Sequence, residues 1–155
     1  MFLVATEPAD QREIQRLLDL SDTVAESLYP GALRQSLNCA TLSRPDIALY
    51  VARKVADGEE SRALGCAALL DLSDGTAELK RMIVDPDHAG QGVGRSLLLA
   101  ILQAAKERNF ASILLEVGIR NGEARRLYES CGFRDRGPFG SYEQTPIATF
   151  MQIDL

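Results

Sequence analysis

Glycine recurs at alternate positions in Val84-Asp85-Pro86-Asp87-His88-Ala89-Gly90-Gln91-Gly92-Val93-Gly94-Arg95, where a β-forming run gives way to a helical one. Glycine costs a chain more entropy on folding than any other residue, so three in five positions mark a backbone that requires them. Before the loop, Thr76–Val84 is rich in strand formers. After it, Val93, Leu97, Leu98, Ile101, Leu102 and Ala105 place one apolar stripe on a helix reaching about Arg108. A strand, a glycine loop and a helix in that order leave bare amides at a helix N-terminus. That arrangement suits a phosphate or pyrophosphate.

The remaining elements follow from periodicity and turn chemistry. Residues 2–5 read as a first strand. Ile14, Leu17, Leu18, Ser21, Val24 and Leu28 recur at helical spacing, with Asp10 and Glu13 in capping-box positions and Tyr29-Pro30-Gly31 as the stop. Residues 32–42 are weakly periodic, a short helix or an ordered loop. Strands over 47–55, 63–72 and 76–84 are separated by Asp57-Gly58 and Ser73-Asp74-Gly75, turns short enough to force antiparallel pairing. Residues 112–117 form an apolar strand that returns through the preceding helix, parallel to Thr76–Val84. A helix over 121–131 is stopped by Gly132, and a last strand covers 147–153. The fold class is α/β (α+β): one domain over residues 1–155, a mixed sheet with antiparallel N-terminal strands and helices on both faces.

Other phosphate-binding loops fit less well. A Walker loop needs Gly-Lys-Ser/Thr, whereas Gly94 precedes Arg95-Ser96. A dinucleotide fingerprint starting at Gly90 would place glycine or alanine where Arg95 stands, although Glu116 ends the next strand about where a ribose-binding acid would sit. Instead, Glu78-Leu79-Lys80-Arg81-Met82-Ile83-Val84-Asp85-Pro86 followed by Gly90-Gln91-Gly92-Val93-Gly94-Arg95-Ser96-Leu97-Leu98 resembles the acetyl-CoA motif of the GNAT N-acetyltransferases. Asn121-Gly122-Glu123-Ala124-Arg125-Arg126-Leu127-Tyr128-Glu129-Ser130-Cys131-Gly132-Phe133 resembles their second block, Asn-x-x-A-x-x-L-Y-x-x-x-G-F. Both occur in the family's order, and the resemblance spans the chain. Within the family, Ser27-Leu28-Tyr29-Pro30 and Gly137-Pro138-Phe139-Gly140-Ser141-Tyr142 are similar to a subgroup of small bacterial proteins of unassigned substrate. The phosphate pattern of the family begins with Gln or Arg, and here that position is Ala89. A grip made mainly by backbone loses one side-chain contact by this and keeps its cofactor.

The resemblance implies acetyl transfer from acetyl-CoA to a primary amine of a small molecule or peptide, by direct attack and without a metal. It implies cofactor contacts from Met82, Ile83 and Val84, through Ala89, Gly90, Gln91, Gly92, Val93, Gly94, Arg95 and Ser96, to Asn121, Arg125 and Tyr128. A backbone bulge near Met82 and Ile83 would free an amide for the developing oxyanion. Glu78, on a strand face shared with Lys80, Met82 and Val84, is the candidate base for an amine whose pKa starts near about 10.4. Tyr128, on one helical face with Asn121 and Arg125, is the candidate acid for the leaving thiolate. Tyr29, Arg34, Arg81, Phe139 and Tyr142 are expected to line the acceptor site. A non-catalytic acyl-CoA-binding sensor is the alternative with the same fold.

Composition narrows the setting. A net charge of −5 and an acidic pI near 4.9 argue against a general nucleic-acid binder, with Arg120, Arg125 and Arg126 as a local exception. Cys39, Cys66 and Cys131 show neither disulfide nor metal spacing, and His88 has no ligating neighbour. Free thiols, no signal-like leader and no spanning apolar run lead to the expectation of a cytoplasmic protein with no membrane partner, and the subgroup resemblance implies a bacterial one. Sheet edges that need cover make a homodimer a further expectation.

Overall fold

The computed structural model describes residues 2–31, 37–55 and 62–155. Arg34 and the Asp57-Gly58 turn lie outside the described residues. Seven strands form one sheet in the order β1-β2-β3-β4-β5-β7-β6. Their ranges are β1 Phe2–Thr6, β2 Ile47–Lys54, β3 Ala63–Asp71, β4 Thr76–Val84, β5 Ser112–Gly118, β6 Arg134–Arg136 and β7 Ala148–Asp154. Only the β4–β5 pair is parallel. It is the pair joined through a helix, as a parallel return requires.

Helix α1 (Arg12–Leu28) and the single turn α2 (Cys39–Leu42) cover one face of the sheet. There Ile14, Leu17 and Leu18 pack with Leu49, Val51, Cys66, Ala68 and Ile83. Helix α3 (Val93–Glu107) and helix α4 (Gly122–Ser130) lie on the other face, where Leu97, Leu98, Ile101, Tyr128 and Phe133 join Leu79, Ile113, Leu115 and Met151. Burying a leucine or isoleucine side chain in this way contributes roughly 1.5–3 kcal/mol.

Three local expectations are corrected. The N-cap of α1 is Gln11 with no side-chain cap bond, so Asp10 and Glu13 form no capping box. Glu13 instead accepts the Ala63 N–H at 2.9 Å and pairs with Arg53, tying α1 to β2 and β3. The strand β6, three exposed residues at the sheet edge, is too short and too charged for periodicity to reveal. Glu78, Lys80, Met82 and Val84 do not share a face. One extra residue on β4 sits opposite Cys66–Ala68, and Arg81 there has φ 55°. Beyond this bulge the side chains change sides: Ile83 joins the α1-side core, and Met82 and Val84 pack against the α3-side core.

Gly132 does stop α4 as expected. It has φ 105°, its N–H reaches the Glu129 carbonyl at 3.0 Å, and Phe133 N–H reaches the Tyr128 carbonyl at 3.0 Å. These two bonds, with the Tyr128 and Phe133 rings 5.6 Å apart, make a Schellman cap that locks Tyr128 in place.

Candidate active site at the split between β4 and β5

Strands β4 and β5 pair only from Thr76↔Ser112 to Leu79↔Leu115. Beyond that point β4 bends at its bulge and stays with β3, while β5 continues with β7 as far as Gly118. A wedge therefore opens between residues 80–84 and 116–118. One of its walls is a groove bounded by Leu20 and Val24 of α1, by Met82, Val84 and Pro86, and by Asn121.

The glycine loop stands at the end of β4. Asp85 opens it: its carboxylate accepts the Asp87 N–H at 3.0 Å and pairs with Arg16 of α1 at 2.7 Å, and its side chain is only 3% exposed. Burial alone would raise the pKa of Asp85, but the Arg16 hydrogen bond, the Asp87 amide and the Arg16 and Arg62 charges hold it below its ordinary value. Gly90 and Gly92 have φ 76° and 89°, in the region that favours glycine. Gly92 is the N-cap of α3, and no side chain caps that helix, so its first-turn N–H groups are left for a ligand. Gly94 lets α3 approach closely, since a Cβ there would stand 3.1 Å from Leu127 and 3.4 Å from Val84. Ala89 and Gln91 are exposed, Val93 is buried, Ser96 is half-buried, and Arg95 leans on Ser130. The uncapped helix end, the positive-φ glycines and the open wedge fit a diphosphate carrying a long thin arm.

On the α1 side of the sheet, side chains gather from distant segments. Glu78 is 4% exposed and pairs in register with Leu114, which puts it on the face from which Glu116 also projects. The Tyr142 hydroxyl donates to Glu78 Oε2 at 2.7 Å, and Lys80 Nζ lies 3.3 Å from both that oxygen and the Tyr142 hydroxyl. Phe139, Tyr142 and the buried Phe150 stack edge to face, with centroids 5.0–5.9 Å apart. Burial first, then the Glu78 hydrogen bond and the charges of Glu78 and Glu116, push the Tyr142 pKa up. Glu116 sits at the mouth of the wedge, reached by solvent yet surrounded by enough protein to raise its pKa. The Glu78 charge adds to that rise and Lys80 opposes it. Tyr128, 5% exposed, is raised by burial and then by Glu116; among the described residues no group bonds its hydroxyl.

Of the acceptor residues expected from the sequence, Phe139 and Tyr142 are found together beside Glu78. Tyr29 is not with them. It is 8% exposed, and its hydroxyl accepts the Arg120 N–H at 2.8 Å and donates to Asn121 Oδ1 under the β5–α4 turn. Arg81 reaches back to α1, 3.0 Å from Asp22 and 3.4 Å from the Leu18 carbonyl, so its guanidinium braces the bulge. Arg125, expected to meet the cofactor, has protein partners in this structure. Thr149 and Asp135, each at 2.7 Å, hold its guanidinium against β7 and β6. Sequence reasoning placed Lys80 on one face with Glu78, where the two pair at 3.3 Å, but gave no role to Asp85 or Phe150. The run Asp85-Pro86-Asp87 does carry a turn-capping signal, but nothing local reveals the partner Arg16, 69 positions earlier.

Comparison with known proteins gives the family. A profile of the Acetyltransferase (GNAT) family matches residues 12–133. The IAA acetyltransferase of Azospirillum brasilense is 35% identical over 153 residues, covering 98% of this chain and 97% of that protein. The uncharacterised N-acetyltransferase YedL of Escherichia coli is 30% identical, covering 100% of this chain and 96% of its own length. A solved structure from Klebsiella pneumoniae superposes with a TM-score of 0.82 at 27% identity, covering 100% of this chain and 98% of that one. The chain belongs to the GNAT family of acetyltransferases. It is an acyl-CoA-dependent N-acetyltransferase, and acetyl-CoA is the co-substrate of its family.

Proposed function

We propose that this protein moves an acetyl group from acetyl-CoA to a primary amine of a small molecule or peptide, by direct attack of the amine on the thioester. The observation that carries this reading is the wedge itself, with a backbone-built anion site at one end and the buried Glu78 beside the bulge. Amides from Gly90 to Arg95 hold the diphosphate, the Ser96 N–H being already bonded to the Gly92 carbonyl, and the groove from Met82 to Asn121 takes the pantetheine arm. A bulge amide near Met82 and Ile83 binds the carbonyl oxygen, where a preorganised donor contributes a few kcal/mol.

Glu78 accepts the proton that the attacking amine loses. Its approach is set by Tyr142 and Lys80, and the ring cluster keeps bulk water from that side. The tetrahedral adduct then collapses, the C–S bond breaks, and Tyr128 supplies a proton to the departing thiolate. A phenol with a raised pKa stays protonated until that base appears.

The test is CoA release from acetyl-CoA across a panel of amines, run on the wild type and on Tyr128→Phe. Wild-type turnover with at least one primary amine is expected, falling roughly tenfold to a hundredfold in Tyr128→Phe with CoA affinity kept. Stabilisation by CoA without turnover on any amine would favour a non-catalytic acyl-CoA sensor. Full turnover by Tyr128→Phe would remove the proton donor from the scheme.

A further inference from the structure

The carboxamide of Asn121 has a donating end and an accepting end, and only one of them suits a given partner in the groove. Tyr29 decides which. Its phenol has one hydrogen, and its oxygen already accepts the Arg120 backbone N–H at 2.8 Å. The hydrogen is therefore free for an acceptor, and the neighbouring atom is Asn121 Oδ1. With Oδ1 committed, the NH2 end has no partner among the described residues and belongs to a side chain that lines the open groove with Met82, Val84 and Pro86.

The fit around this hydroxyl is tight. A Cβ on Gly118 would come within 2.1 Å of it, so a side chain at position 118 would expel the phenol. Arg120 closes the joint from outside, its guanidinium bonding the Leu28 carbonyl at 2.6 Å and lying over the Tyr29 ring at 5.7 Å. Tyr29 is also the C-cap of α1, whose Leu20 and Val24 form the opposite wall of the groove. One buried hydroxyl thus sets both the orientation of Asn121 and the spacing between the groove walls.

We infer that Tyr29 is a positioning residue for cofactor binding, holding the Asn121 carboxamide with its NH2 turned into the groove as a donor to the carbonyl oxygens of the CoA arm. This rests on the reading that Asn121 contacts the cofactor. The Tyr29 ring touches no reacting atom, so its loss acts on cofactor affinity and not on the chemical step.

The experiment is calorimetric titration of free CoA into the wild type, Tyr29→Phe, Asn121→Ala and the double variant, with ligand-free thermal midpoints as a control. Phenylalanine keeps the ring packing but leaves the Arg120 N–H without its partner, so the midpoint is expected to fall by a few degrees with the fold retained. CoA affinity should fall about tenfold in Asn121→Ala and roughly fivefold in Tyr29→Phe, on the scale of one lost neutral hydrogen bond. The double variant should bind no worse than Asn121→Ala, because the two groups act as one, and Tyr29→Phe should raise KM for acetyl-CoA with kcat unchanged. Wild-type CoA affinity in Tyr29→Phe beside a weakened Asn121→Ala would overturn the positioning role and leave the cofactor reading standing. Additive losses would overturn it as well. Wild-type affinity in Asn121→Ala would overturn the reading beneath it.

Discussion

The two ends of the wedge are built from different materials. The end proposed to hold the cofactor is backbone: positive-φ glycines, the uncapped start of α3, a bulge in β4 and a Schellman cap behind Tyr128. The end proposed to receive the amine is side chain: Glu78 and Lys80 from β4, Tyr142 and Phe139 from the connection after β6, and Phe150 from β7. A site made of amides is indifferent to most side chains near it and intolerant of a Cβ where φ is positive. A site made of side chains has the opposite sensitivities. The exposed Ala89 at a position the family pattern gives to a polar residue illustrates the first case.

The largest effect that would test this contrast belongs to the acceptor end. Glu78→Gln preserves shape and removes the proton acceptor, so kcat is expected to fall about 10²- to 10³-fold. CoA affinity should stay at the wild-type value. Turnover measured against pH checks it, and an unchanged rate and profile would take Glu78 out of the mechanism. The matching change at the other end is Gly92→Ala, a single added carbon. At φ 89° that carbon strains the backbone by about 1–2 kcal/mol at the point where the amides converge. CoA binding should weaken about tenfold while kcat at saturating acetyl-CoA holds. If Gly92→Ala binds CoA normally, the backbone cradle is not the cofactor site.

Asp85 is where the two kinds of construction meet, a side chain that holds the backbone loop. Its folded pKa is lowered, so the stability it contributes is fully present above its ordinary value of 3.8 and is lost as pH falls through the lower folded value. Asp85→Asn should therefore lower the thermal midpoint near neutrality, by roughly 2 kcal/mol of stability, from the loss of a charge-assisted bond to Arg16. The two proteins should converge in strong acid. Equal midpoints at neutral pH would show that the ion pair adds nothing to the loop.

The same division decides what the sequence made legible. Gly90, Gly92 and Gly132 announce their conformations because the steric reason lies within one residue of each. The β4–β5 parallel pairing follows from a helix between two strands, again from chain order. The contacts of Tyr29 with Asn121 and of Arg81 with Asp22 were not legible, because these partners lie 92 and 59 positions away and no local pattern links them. The face assigned to Met82 and Val84 failed for a related reason: alternation assumes a regular strand, and one inserted residue reverses it. The resemblance named Phe139 and Tyr142 together, but their ring cluster with Phe150 depends on how the chain returns after β6.

The smallest effect asks whether the acceptor end is held by its hydroxyl or by its rings. Tyr142 meets Glu78 through one hydrogen bond of 2.7 Å and meets Phe139 and Phe150 through ring edges at 5.0 and 5.6 Å. Burial and the Glu78 hydrogen bond raise the phenol's pKa above its ordinary value of 10, so the hydroxyl stays a donor through the neutral range. Tyr142→Phe removes only the hydroxyl and leaves Glu78 facing Lys80. The expected result is a rise of about twofold to fivefold in KM for the amine, on the scale of one hydrogen bond, with CoA affinity and thermal midpoint unchanged. Tyr142→Ala, which also strips the ring from the cluster, should do more and should lower stability. If Tyr142→Phe matches the wild type while Tyr142→Ala does not, the rings alone shape this end. A loss in Tyr142→Phe as large as in Tyr142→Ala would instead make the hydroxyl the part that positions Glu78, and the contrast with the backbone-built end would be at its sharpest there.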